Sequence, residues 1–176
     1  MQSNNHFFEM FGLPIAFKVD QTALKNSFLQ LQKQHHPDHV NDTTSAEKNT
    51  ALINHAFDIL SNHDSRAAYL LELANVDFNA DQSICDESFL MQMMAHRMDL
   101  EDAILEQNFE QIQEVGMQVS KLLSDIAEQF DFAYLNQDWP AAKTQAQKLK
   151  FLSNLHKDCM CALSQLPNHS DDDLYV

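Results

Sequence analysis

The chain has 176 residues with 11 basic against 26 acidic side chains, a formal net charge of −15. That balance lacks the basic footprint that displaces counterions from nucleic acid, and no run nears the roughly 20 apolar residues of a membrane span. Apolar residues make up 44%, with 12 Phe and 8 Met, enough to fill a core, while 2 Gly and 4 Pro are too few for a turn-rich sheet protein. Cys85, Cys159 and Cys161 are odd in number, and Cys85 lies far from the other two, which fits a reduced compartment rather than a disulfide scaffold.

In chain order, Phe7, Phe8 and Phe11 open a short helical segment that Gly12 and Pro14 close. Asp20 can cap a helix over residues 21–34, where Leu24, Phe28 and Leu31 form one apolar stripe. Pro37 stops it, and residues 41–45 read as a polar loop. A third helix over 46–61 is expected to bury Leu52, Ile53, Ala56, Phe57 and Leu60. Asp64 can cap a fourth helix carrying Ala67, Ala68, Leu71 and Leu73. Residues 1–75 thus form one small unit, and 76–85 a linker.

Three longer helical patterns follow over residues 86–167. The first runs over 87–107 behind a cap at Asp86. The second starts after Asn108, with Phe109, Ile112, Val115, Val119, Leu122, Ile126 and Phe130 inward. The third follows Asp138, with Pro140 in its first turn and Leu149, Leu152, Leu155, Cys159, Leu163 and Leu166 inward. Short connections predict an antiparallel three-helix bundle, so the fold class is all-α. Residues 168–176 form an acidic tail. Charge is uneven: residues 1–75 hold 5 basic and 8 acidic side chains, and residues 76–176 hold 6 and 18.

His36-Pro37-Asp38 places an imidazole and a carboxylate side by side at a helix tip. Spacing alone leaves open a plain helix stop, or a metal site using His35, His36, Asp38 and His39. Its setting between two long amphipathic helices resembles a J domain over residues 5–75. Residues 8–13 and 20–34 match that family's opening, and residues 51–60 (ALINHAFDIL) resemble its third helix. The resemblance implies that Lys25, Lys33, His36, Pro37 and Asp38 bind an ATP-driven chaperone of the 70-kDa heat-shock type. It also implies stimulation of ATP hydrolysis. Basic residues are sparse here, and His39 stands where many relatives have Lys or Arg.

The helix after Asp86 has more apolar surface than one core contact requires. At about 100° per residue, Phe89, Met93, Leu100 and Ile104 share a face, with His96 and Ala103 beside them. Leu90, Met91, Met94, Met98 and Leu105 share another. Arg97 and Glu101 lie between the two, and Asp99, Asp102 and Glu106 lie beyond the second. Periodicity leaves open whether the second stripe packs on the first unit, completes the core, or meets a partner through adaptable Met side chains.

The runs Arg66-Ala67-Ala68-Tyr69-Leu70-Leu71, Phe89-Leu90-Met91 and Lys148-Leu149-Lys150-Phe151-Leu152 resemble the HscB family of J-type co-chaperones of iron–sulfur cluster assembly. The resemblance excludes only the tail. It implies a non-enzymatic carrier without resident cofactor or metal, and a scaffold-binding set of Leu90, Met91, Met94, Ala95, Met98, Asp102 and Phe151. Ala95 and Met98 fall where well-known relatives carry acids, which keeps a different client open. The family's eukaryotic members with a cysteine-rich extension differ from this chain, so a bacterial-type, cytoplasmic monomer is expected. Cys159 and Cys161 lie about 200° apart on a helix and read as structural thiols rather than ligands.

Overall fold

The computed structural model describes residues 6–34, 43–79 and 84–165. Among them are seven α-helices and no strand: α1 (Phe7–Met10), α2 (Gln21–Gln34), α3 (Thr43–Ser61), α4 (His63–Leu73), α5 (Glu87–Leu105), α6 (Phe109–Leu135) and α7 (Trp139–Gln165). They divide into two compact units between residues 79 and 80.

In the first unit, Asp20 Oδ1 accepts from the backbone N–H groups of Thr22 and Ala23, starting α2. The helices α2 and α3 pair antiparallel: Phe28 stacks on Phe57 at 4.1 Å between centroids, and Gln32 donates to Asn54 one turn further out. Beneath them lie Phe8, Phe11, Phe17, Leu24, Ile53, Ala56, Leu60, Leu70 and Leu71, all buried. Each Phe, Leu or Ile among them contributes roughly 1.5–3 kcal/mol by leaving water. Tyr69 fastens α1 to α4, its ring stacked 4.7 Å from Phe7 and its hydroxyl accepting from the Phe7 N–H.

The end of α3 is held by side chains. Ser61, Asn62, Ser65 and Arg66 donate to the carbonyls of Phe57, Asp58, Ile59 and Leu60 respectively. The carbonyls of Asp58, Ile59 and Leu60 fall in the last turn, where helical partners run out. Arg66 is fully enclosed, with its guanidinium 5.0 Å from the Phe17 ring centre, and burial pushes its pKa down to about 10.

Three expectations change here. The third helix begins at Thr43, inside the run read as loop, because Thr and Ser serve a first turn as well as a loop. Leu52 is exposed, since the buried line Ile53, Ala56 and Leu60 puts it about 100° off that face. Asp64 is not the cap: α4 starts at His63 after Asn62, and Asp64 sits in its first turn.

The second unit is a bundle of α5, α6 and α7. Its turns show why so few glycines suffice. Gln107 and Gln137 take left-handed φ values of 53° and 56°. Around each, the next amide bonds back to a carbonyl five residues earlier, Asn108 to Ala103 and Asp138 to Ala133, closing a Schellman motif. The following residue then caps the next helix: Asn108 Oδ1 accepts from Gln111 N–H, and Asp138 Oδ1 from Ala141 N–H. A stop and a start thus occupy adjacent positions, at roughly 1–2 kcal/mol for each non-glycine left-handed residue.

The α6–α7 seam buries Ile112, Val119, Phe130, Ala142, Leu149, Leu152, Leu155 and Cys159. Two inward assignments fail. Phe109 is exposed because it is the first residue of α6, with no preceding turn to cover it. Ile104 is exposed because the buried line on α5 steps Phe89, Met93, Leu100, Ala103, leaving Ile104 about 100° off it. Leu122 and Leu163 are half-buried, and Leu166 lies outside the described residues. Cys159 is enclosed and Cys161 exposed; burial, then the Asp158 charge, pushes the Cys159 thiol up.

Candidate functional site

Two regions carry the candidate side chains. On α2, Lys25 and Lys33 are exposed, two turns apart, with exposed Leu29 midway between them. The spacing of four puts all three on one strip. Leu29 is absent from the expected set, although the i, i+4, i+8 spacing announces it. His35, His36, Pro37, Asp38 and His39 lie outside the described residues. In the chain they fall between the antiparallel helices α2 and α3.

The other region begins with one carboxylate. Asp86 Oδ1 accepts from the Phe89 N–H at 3.0 Å and from the Ser88 hydroxyl at 2.7 Å, capping α5. Its Oδ2 accepts from Lys148 Nζ of α7 at 2.6 Å. The Lys148 ammonium also sits 5.1 Å from the Phe89 ring centre. The Lys148 hydrogen bond, then those from Ser88 and Phe89, hold the Asp86 carboxyl well below the usual range. Sequence reasoning found the cap but not its lysine, 62 positions away.

That clamp sets the register of α5 on α7. A second cross-link has nearly the same offset, Arg97 Nη2 to Asp158 Oδ2 at 3.4 Å, so the two helices run parallel. The Arg97–Asp158 pair is largely solvated and adds little stability. Together the offsets place Leu90 and Phe151 at one level on neighbouring helices.

With Phe89, Met93, Leu100 and Ala103 turned inward, α5 turns its second stripe to solvent. Fractional exposure is 37% for Leu90, 74% for Met91, 66% for Met94 and 55% for Met98, and Phe151 is 42% exposed. Ala95 and Asp102 are exposed as well. From Leu90 to Asp102 the strip rises about 18 Å at 1.5 Å per residue. It is apolar along its length and acidic at its far edge, where Asp99, Asp102 and Glu106 are exposed. Such a surface suits an apolar partner face with basic margins. Among the described residues no group of three or more His, Cys, Asp or Glu side chains could hold a metal ion. Nor is any helix there long and apolar enough to cross a membrane.

Residues 7–69 match the DnaJ domain, and residues 85–159 match the HSCB C-terminal oligomerisation domain. The chain is 37% identical over 167 residues to a co-chaperone protein HscB homolog of Acinetobacter baumannii, covering 95% of each protein. A homolog of the same description from Acinetobacter baylyi is 38% identical over 170 residues, 97% of each. This chain belongs to the HscB co-chaperone family. The chaperone HscB from Vibrio cholerae superposes with a TM-score of 0.76 at 31% identity, covering 92% of this chain and 99% of that one. Human co-chaperone protein HscB, at 23% identity and a TM-score of 0.77, shares the fold. The two HscB-family segments fall on the two structural units, one carrying the α2 strip and the other the α5 face.

Proposed function

We propose that this chain is a two-site carrier in iron–sulfur cluster assembly. Its first unit engages a specialised 70-kDa heat-shock-type chaperone through Lys25, Lys33, His36, Pro37 and Asp38, and stimulates ATP hydrolysis there. Its second unit holds the cluster scaffold protein through Leu90, Met91, Met94, Ala95, Met98, Asp102 and Phe151. The chain itself performs no catalysis and acts as a cytoplasmic monomer. Its functional segments are residues 1–75 and 86–167, joined by 76–85 and followed by a tail at 168–176.

The observation that supports this reading best is the outward face of α5. A bundle helix needs one apolar stripe, and this one carries two, with Leu90, Met91, Met94 and Met98 left in solvent. Ala95 and Met98 make the face more apolar than an acid-bearing one, so contact area contributes more to binding and steering charge less.

Single-turnover ATPase measurements on the chaperone, with and without scaffold, test both sites at once. The full chain is expected to stimulate turnover, and scaffold to add to that effect. His36→Gln is expected to abolish stimulation while helicity and scaffold binding persist. Full stimulation by the His36→Gln chain would overturn the chaperone assignment. Intact stimulation without scaffold binding would mean that the α5 face serves a different client.

A further inference from the structure

The methionines of α5 differ in one respect that matters chemically. Met91, Met94 and Met98 are 74%, 66% and 55% exposed, whereas Met93, on the same helix, is 8% exposed. The three exposed thioethers recur at spacings of three and four, so they line one strip beside Leu90. We propose that this strip is a redox-sensitive switch, in which hydroperoxide oxidation of Met91, Met94 and Met98 to sulfoxides releases the scaffold. The inference rests on the reading of the α5 face given above.

In each event the thioether sulfur attacks one oxygen of hydrogen peroxide. An S–O bond forms as the O–O bond breaks, and the transferred oxygen gives its proton to the departing hydroxide, leaving water. Sulfur loses two electrons and peroxide gains them. The product is polar and chiral, and reductases specific for the two epimers return it to the thioether. Such a group cannot enter an apolar contact without leaving its oxygen unpaired. The neighbouring Asp99 and Asp102 offer only acceptors. Burial spares Met93, so the bundle persists while its outer surface changes character.

The test uses the full chain and the iron–sulfur scaffold protein of the same organism, with calorimetric titration before and after hydrogen peroxide. Treatment ends with a thiol reductant, which returns reversibly oxidised Cys85 and Cys161 to thiols, and mass spectrometry reports the oxidised positions. Oxidised chain is expected to bind about tenfold or more weakly, with native helicity, and methionine sulfoxide reductases are expected to restore it. Chain carrying Met91→Leu, Met94→Leu and Met98→Leu together, whatever its own affinity, should bind equally before and after peroxide. The exposed bystanders Met117 and Met160 remain oxidisable in that variant. Retained affinity in wild-type chain bearing all three sulfoxides, or an equal peroxide-induced loss in the leucine variant, would overturn the switch. Absence of binding by the untreated chain would instead defeat the reading of the face, and the switch with it.

Discussion

The two units fasten their helices in different ways. The first encloses a cation: Arg66 is among its most buried side chains, bonded to the Leu60 carbonyl and set against Phe17. The second keeps its cross-linking charges, Asp86 with Lys148 and Arg97 with Asp158, at or near the surface, and turns Leu90, Met91, Met94 and Met98 to solvent. The first unit thus uses internal polar contacts to hold the α3–α4 corner, and through α3 the partner helix of α2. The second encloses Asp131 and Ser153, and it leaves a second apolar stripe of α5 in solvent. An enclosed cation braces the one, and the other carries the apolar face proposed above to bind the scaffold.

The largest expected effect breaks that comparison from the inside. Arg66→Ala removes the donor to Leu60, uncovers Phe17 and leaves a void, costing about 3 kcal/mol or more. Arg66→Met keeps most of the volume and loses only the hydrogen bond and the charge, so about 1–2 kcal/mol is expected. The chain has one tryptophan, Trp139, and it opens α7. Tryptophan fluorescence therefore reports the second unit, while circular dichroism reports both. Denaturant unfolding of either variant should shift the dichroism transition and leave the fluorescence transition in place. Coincident shifts in both would mean that the two units unfold as one.

Next in size is the outer face of the second unit. Leu90→Ala with Phe151→Ala removes two half-exposed apolar side chains at one level of the proposed scaffold surface. Affinity for the scaffold should fall tenfold or more, about 1.4 kcal/mol or more, with native-like dichroism. Unchanged affinity in calorimetry would remove these residues from the contact. Lost helicity would make them core.

What the sequence disclosed follows the range of the interactions concerned. Caps at Asp20 and Asp86, and helix starts after Asn108 and Asp138, were legible because each acts within three residues of its own position. The second stripe on α5 was legible because two apolar faces on one helix exceed what a bundle needs. Its solvent exposure was not, since periodicity cannot say which stripe finds a partner inside the bundle. The clamp from Lys148 to Asp86 spans 62 positions and the burial of Arg66 depends on Phe17, 49 positions earlier, so neither leaves a local pattern. Leu52 and Ile104 were misplaced for one reason: each sits one residue from a true core position, an angular difference of about 100° that a broad stripe conceals.

The smallest expected effect separates the units by proton rather than by denaturant. His63 begins α4, its ring 5.8 Å from that of Phe17. Burial, then the Arg66 charge, lowers its pKa, and Asp64 offsets part of that. A histidine whose folded-state pKa is depressed binds its proton more readily in the unfolded chain. Its contribution is therefore present above the ordinary imidazole pKa of about 6.5 and is lost as pH falls from there toward the folded value. The first unit should lose stability as pH falls below about 6.5, where most carboxylates are still ionised. His63→Leu should flatten that loss in the dichroism transition, with the Trp139 transition unchanged at each pH. A slope as steep in the His63→Leu chain as in wild type would mean that the acid sensitivity of the first unit does not arise from the position beside the buried arginine.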